Sequence, residues 1–377
     1  MLSQRARRVD LLIDYILSDS PFPSANPTNM RTAYRKFRTE KKNPSFRYEK
    51  PKPSLEALQG ALIELPLKDE GILGDILEHK KRRLIRRIAM MQAIGKAKYP
   101  KLCEVLYPPP DEHIIAIASE IVKLPISRGQ GKIPKAEAVK AIRHALTLLG
   151  FKWKIVNRDM VTSAATISGT RVLELRKRER FSKKYVNRLI IHELGTHALR
   201  AENGSIQPLR LFRHGLAGYL ETEEGLAAYH EFLSGVMSTS ILRNYAGRVL
   251  AIHYARHTDF VTTYKLLSRH FREQTAWKLA VRAKRGLADT SQKGAFTRDA
   301  VYLRGFLRVY AFAKKHDIRQ LYVGKIGISD MASLQMVKDM KRPLYTPAVV
   351  CSEFGNSEPE VTSGMIEGIL KAVKGGK

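Results

Sequence analysis

Six residues carry the densest chemistry in this chain: His192-Glu193-Leu194-Gly195-Thr196-His197. Two imidazoles and a carboxylate in an otherwise apolar segment suit a zinc site. Such a site takes two neutral imidazoles from one helix, a third ligand from elsewhere and an open position for water, with a neighbouring carboxylate to accept the water's proton. The usual spacing is four, because residues four apart lie about 40° apart around an α-helix. Here the spacing is five, which turns the imidazoles about 140° apart on a regular α-helix. One shared site therefore requires a locally widened helix, as in a π-type turn, or a bend. Gly195, midway between the histidines, is the expected place for it. The competing reading is a buried helix whose polar residues are satisfied by partners.

A second acidic element follows. Thr222-Glu223-Glu224-Gly225-Leu226-Ala227 lies 25 to 30 residues on, in another expected helix. A glutamate at that distance is where a glutamate-type zinc peptidase keeps its third ligand. A Glu-Glu pair on a helix is by itself more often a solvated face.

These motifs together are similar to the microtubule-associated tyrosine carboxypeptidase family. The resemblance runs through His192–His197, Arg200, Asn203-Gly204, Gln207-Pro208-Leu209 and Glu224-Gly-Leu-Ala227. It extends to the Asn-Pro pairs at 26–27 and 43–44, Arg282–Leu287, Gly294–Asp299, Tyr302–Gly305 and Val323–Lys325, so it covers roughly 25–350. The family's bacterial branch is labelled by Gln-Glu-Gly-Leu-Ala; Glu223 stands where that label has Gln, as in the animal branch. The resemblance implies one Zn²⁺ bound by His192, His197 and Glu224, with Glu193 as general base. Animal members remove the C-terminal tyrosine of α-tubulin, which implies a carboxypeptidase acting on a C-terminal tyrosine or phenylalanine. An exopeptidase needs a cation for the terminal carboxylate. Arg200, Arg285, Arg298 and Lys325 are the candidates in or beside the matched motifs, and Tyr302 is a candidate oxyanion donor, each weighed against an ordinary structural role.

Around the motif, Ser182 is a suitable N-cap for a helix running to about Ala201, with Asn203-Gly204 as its stop. Before it, Val139, Ile142, Leu146 and Leu149 form an apolar stripe ended by Gly150. Phe151, Trp153 and Ile155 alternate with lysines, the period of a strand, and residues 171–175 read as a second strand, a candidate edge to align substrate backbone. Basic helices are expected over 29–42 and 76–96, and a mostly helical chain to about 320. The loop at 127–134 holds Gly-Gln-Gly-Lys without the spacing of a phosphate-binding loop. The expected fold class is α+β: a mostly helical zinc metallopeptidase with a small sheet beside the active-site helix, divided as a basic helical region over 1–110 packed on a catalytic domain over 111–377.

The 377 residues carry 66 Lys+Arg against 36 Asp+Glu, a formal net charge of +30. A 44% hydrophobic content excludes a disordered basic tail as the whole chain. The charge predicts an anionic partner: an acidic C-terminal tail in the peptidase reading, nucleic acid in the alternative. The alternative draws on Tyr34, Phe37, Phe46 and Tyr48 interleaved with basic residues, which could stack bases, although packing suits them better. A third reading, a catalytically silent regulatory family member, conflicts with an intact ligand and base set. Asp10 and Asp14 interrupt the N-terminal apolar stretch, and no segment reaches the length of a membrane span, so a cytoplasmic protein without a membrane partner is expected. Cys103 and Cys351 make no disulfide framework, and Cys103 reads as a buried inert thiol. His253 and His257 have metal spacing, but only Asp259 as nearby acid, and read as a solvated face; His230 and Glu231 read as packing or as support for the site.

Overall fold

The computed structural model describes residues 3–19, 22, 24–67, 71–127, 129, 131–158, 164–167, 169–177 and 180–375. The loop at 127–134 therefore falls partly outside the described residues, at Arg128 and Gln130. The elements that matter for the site are the helices α1 (Gln4–Asp19), α2 (Met30–Glu40), α3 (Gly71–Gln92), α4 (Lys135–Leu148), α5 (Lys183–Leu189), α6 (Leu199–Ser205), α7 (Leu220–Leu233), α8 (Thr239–His257), α9 (Glu273–Lys284), α10 (Val301–Ala313) and α11 (Ala348–Phe354). Between α5 and α6 the chain continues without interruption as a π-helix, Ile190–Ala198. Among the described residues no helix is long and apolar enough to cross a membrane.

The two basic helices form where their sequences predict. Their charges are not all on the surface, however. In α3, Lys80 is buried with its ammonium on the Gly215 carbonyl, and Lys81 is buried against Glu78 (2.7 Å) and the Leu65 carbonyl (2.8 Å). The acids of α1 are also engaged. Asp10 accepts hydrogen bonds from the backbone N–H of Arg210 and Leu211 at 2.8 and 3.0 Å, and Ala6, Val9, Ile13 and Ile16 are buried beside it. The interruption of the N-terminal apolar run is thus how α1 is tied to the segment after α6.

The strands are short. β2 (Lys154–Arg158), β4 (Val172–Arg176) and β3 (Ala164–Ile167) make a sheet of order β2-β4-β3, with β2 parallel and β3 antiparallel to β4. β1 (Lys132–Ile133) pairs antiparallel with β5 (Phe181–Ser182). Two expectations are corrected here. Phe151 and Trp153 are buried but precede the strand, because Gly150 (φ +68°) turns the chain out of α4 and Trp153 Nε1 donates to Glu202 Oε1 at 2.8 Å. The strand expected at 171–175 is central rather than an edge, so both sides of its backbone are already paired. β3 is the edge strand that lies against the π-helix.

Three apolar clusters hold the molecule together, and residues from the first 110 enter each. The first joins Ile13, Leu77 and Leu84 to Ile190, Ile191 and Leu194 of the π-helix. The second contains Phe37 and Phe46, both 2% exposed. Phe37 meets Trp277 at 4.8 Å and Tyr34 meets it at 5.1 Å, while Tyr48 donates to the Leu287 carbonyl. The aromatics of the basic N-terminal stretch are packing residues rather than an open stacking platform. The tightest contact is α7 on α10: a Cβ on Gly225 would overlap the Gly305 carbonyl, and one on Gly305 would overlap the Glu221 carbonyl. Glycine at both positions lets the two backbones touch, which fixes α7 relative to α10.

Candidate metal centre and active-site cavity

Ser182 caps α5, its hydroxyl accepting from Tyr185 N–H at 3.3 Å. Seven residues later the helix widens, and all nine residues of the π-helix are buried. An i→i+5 turn brings residues five apart onto one face, and the His192 and His197 rings stand 4.8 Å apart, nearly perpendicular. Gly195 has a close neighbour: a Cβ there would sit 2.9 Å from Val350 Cγ2 of α11, and its carbonyl accepts the Tyr322 hydroxyl at 3.1 Å. The helix then runs past Asn203-Gly204 to Ser205. Asn203 clasps the backbone of Leu344 and Tyr345, and Gly204 admits the backbone of Phe212.

α7 brings Glu224 to the same point. Its Oε2 lies 3.6 Å from His192 Nε2 and 3.9 Å from His197 Nε2. That oxygen is buried and accepts no hydrogen bond, which is costly unless a cation completes its surroundings. The other ring nitrogens are occupied by carboxylates: His192 Nδ1 is 2.6 Å from Glu231 Oε1, and His197 Nδ1 is 2.8 Å from Glu223 Oε1. Both Nε2 atoms are thereby turned toward Glu224, so the donor set fits a metal ion. Among the described residues this is the group of histidine, cysteine and acidic side chains close enough to hold one.

Without a metal, the electrostatics of the site pair Glu224 with His192. Burial would raise the Glu224 carboxyl, but the close His192 imidazole and the charges of His197, His192 and Arg298 bring it down to about 2. Burial would lower His192, yet its contacts with Glu224 and Glu231, with the charges of Glu231 and Glu193, carry it up to about 10. Glu231 is fully buried and held ionised against that burial by Arg188 (2.9 Å) and His192, and it also accepts the Tyr245 hydroxyl.

A cavity of about 320 Å³ opens beside the centre, lined by His192 and Glu193 and by Ala164 of the edge strand β3. Arg285 and Tyr302 line it too. Arg285 is bonded to Asp299 at 2.8 Å, and Tyr302 stacks on Tyr245 at 5.4 Å with its proton held by burial and by Glu224, its pKa pushed up to about 12. Arg298 has Tyr107, Tyr302 and Glu224 as electrostatic neighbours. Arg200 and Lys325 lie on the far side of Glu223. Arg200 is fully buried, bonded to Glu223 and to the carbonyls of Leu321 and Ile326; Lys325 Nζ is 2.8 Å from Glu223 Oε1.

The family model for microtubule-associated tyrosine carboxypeptidase matches residues 35–356. The chain belongs to this family. Mouse microtubule-associated tyrosine carboxypeptidase 1 is 28% identical over 320 residues, covering 82% of this chain and 61% of the mouse protein. The rat protein of the same name is 36% identical over 153 residues, covering 39% of this chain and 32% of its own length, and the human one 35% over the same lengths and shares. The chain thus spans about three fifths of the mouse relative.

In this member of the tyrosine carboxypeptidase family, Glu223 and Glu231 are the residues that sequence reasoning undervalued. The signal was present: Glu231 follows Glu224 by seven residues, two turns along one face of α7. Arg188 and Arg248, which line the cavity, fall outside the matched motifs. The residues set aside stay so: Cys103 is fully buried with its thiol pushed up to about 12 by that burial, and His253 and His257 meet edge-to-face at 5.7 Å without joining, among the described residues, a metal-capable group.

Proposed function

We propose that this chain is a zinc-dependent carboxypeptidase that removes a tyrosine or phenylalanine from the C-terminus of a protein or peptide with an acidic tail. The observation that carries the reading is the buried, unbonded Glu224 Oε2 between the two imidazole Nε2 atoms, with Glu193 in the adjoining cavity. His192, His197 and Glu224 would hold the zinc, with Glu231 and Glu223 fixing the two rings. Bound there, zinc supplies Lewis acidity to a water molecule and to the scissile carbonyl. Glu193 takes the water's proton and passes it to the departing amine, the general-base and then general-acid role of a carboxylate beside such a centre. Tyr302, which keeps its proton at neutral pH, donates to the oxygen that gains charge at the scissile carbonyl. The cavity volume lies at the lower end of the roughly 300–1,000 Å³ of small-ligand sites, which suits one terminal residue. Ala164, Met30 and Val281 supply apolar lining, and Tyr185 and Tyr302 aromatic lining, for its side chain.

The deciding experiment is digestion of a library of peptides differing in their C-terminal residue, together with elemental analysis. About one zinc per chain is expected, with loss of C-terminal tyrosine or phenylalanine that stops in Glu193→Gln while zinc is retained. Release unchanged in His192→Ala or Glu193→Gln would overturn the site. Tight, salt-sensitive nucleic-acid binding with no peptide cleavage would favour the polyanion-binding alternative.

A further inference from the structure

A carboxypeptidase must grip a terminal carboxylate, and the cavity beside His192 and Glu193 is lined by five arginines: Arg176, Arg188, Arg248, Arg282 and Arg285. Four of them are engaged. Arg188 bonds Glu231 at 2.9 Å and the Tyr245 oxygen at 3.0 Å; Arg282 and Arg285 share Asp299 at 2.6 and 2.8 Å; Arg176 has a partner of its own. Arg248 differs. Among the described residues its guanidinium makes no ion pair, and its Nη1, like the Nε atoms of Arg188 and Arg285, is buried without a hydrogen-bond partner. It is nonetheless held in place, with Cζ 4.0 Å from the centre of the Tyr302 ring and 5.2 Å from that of Tyr245. Stacking on aromatic faces fixes a guanidinium's plane while leaving its N–H edge unused, and a buried donor left unbonded is costly unless a ligand meets it.

We infer that Arg248 binds the C-terminal carboxylate of the residue to be released, through a paired N–H···O contact. This inference rests on the carboxypeptidase reading and adds the group that makes the site an exopeptidase site. Its position suits that role. The terminal carboxylate belongs to the residue released and the scissile carbonyl to its predecessor, with one amide nitrogen and one Cα between them, so the grip must stand one residue from the reacting centre. Tyr302 is the shared neighbour, with Arg248 over its ring and Glu224 acting on its hydroxyl electrostatically. The stack of Arg248, Tyr302 and Tyr245 continues to Glu231 through the Tyr245 hydroxyl, so the grip is braced on the residue that fixes His192.

The test uses the zinc-loaded full chain and an acetylated Glu-Glu-Tyr peptide, either as the free acid or as its C-terminal amide. Affinity is measured by calorimetry in a Glu193→Gln background, so that nothing turns over. The acid should bind more tightly than the amide by about 10- to 100-fold, the range for a hydrogen bond to a charged group. Adding Arg248→Gln should remove that preference, and Arg248→Lys should restore part of it, with zinc content unchanged. An undiminished acid preference in Arg248→Gln overturns the inference while leaving the carboxypeptidase reading intact. Should Arg248→Gln not fold, Arg248→Lys carries the test: an ammonium cannot make the paired contact, so an unreduced preference there is equally fatal. If the chain with Glu193 intact releases no tyrosine from the acid and binds both peptides alike, the carboxypeptidase reading fails and the inference falls with it.

Discussion

Glu231 Oε1 lies 2.6 Å from His192 Nδ1, two turns of α7 beyond Glu224, whose Oε2 faces the Nε2 of the same ring. One helix therefore grips both nitrogens of one imidazole. Glu223, the neighbour of Glu224, does for His197 what Glu231 does for His192. α7 thus orients both imidazoles and carries the carboxylate that faces them.

Removing the charge of Glu231 should loosen that arrangement. In Glu231→Gln, the Nδ1 proton of His192 loses its carboxylate and Arg188 is left without its buried partner. Metal affinity of the folded protein, read by competition with a chromogenic chelator, should fall about 10- to 100-fold. Stability of the metal-free protein should also fall, by about 3–5 kcal/mol, as expected when one partner of a buried ion pair is removed. Unchanged zinc affinity would show that Glu231 serves Arg188 and Tyr245 and not the metal centre.

The glycines of the site should differ in how they tolerate a methyl group. At Gly195 the new Cβ meets the end of the Val350 side chain, which can move. At Gly225 it meets the Gly305 backbone carbonyl, which cannot move without displacing α7 from α10. Gly195→Ala should cost about 1 kcal/mol, and Gly225→Ala about 3 kcal/mol or more with loss of metal binding, since overpacking of a rigid contact shifts backbone. Thermal melts and zinc content measure both. Equal effects would mean that the α7–α10 contact does not set the position of Glu224.

How much of this was legible follows from the kind of signal each residue leaves. The five-residue spacing of His192 and His197 demanded a widened helix, and the π-helix over Ile190–Ala198 supplies it, because the demand was geometric and local. Ser182 as a cap and Gly150 as a stop were legible for the same reason. The strand at 171–175 was legible as a strand, but its central place was not, since that depends on β3 pairing with it from an element without strong alternation. Arg200 and Lys325 sit in the matched motifs and both meet Glu223, which the sequence did not indicate, because a motif does not record which way a side chain points. Arg248 left no local trace, because its lack of a direct ion pair among the described residues exists only in three dimensions.

His230 sets a pH dependence of stability. It is buried at 2% exposure, and burial first, then the Arg200 charge, pushes it down to about 4. Its unfolded value is about 6.5, so the unfolded chain binds the extra proton first as pH falls. Its contribution to stability is therefore complete above about 6.5 and is lost as pH drops toward 4, by about 3 kcal/mol over that window. Chemical denaturation of the metal-free protein between pH 4 and 7 should show this slope, added to that of His214, which burial also lowers to about 4, and His230→Leu should reduce it. An identical slope in the variant would assign it to other groups.

Salt should separate the two electrostatic roles proposed for substrate binding. Arg31, Arg35, Lys36 and Arg38 of α2 are exposed, and the chain carries a net charge of +30, so an acidic tail is drawn in by fields that act through water. Such attraction is screened over about 8 Å at 0.15 M salt. The contact assigned to Arg248 lies in the cavity, its Nη1 out of solvent, and is screened far less. Raising salt from 0.05 to 0.5 M should therefore reduce kcat/KM for a peptide with several Glu residues before its terminal tyrosine, mainly through KM. A peptide with a neutral tail and the same terminal tyrosine should change little, because it relies on the cavity alone. Equal salt sensitivity of the two peptides would exclude long-range attraction of the tail and leave the +30 charge to some other anionic partner.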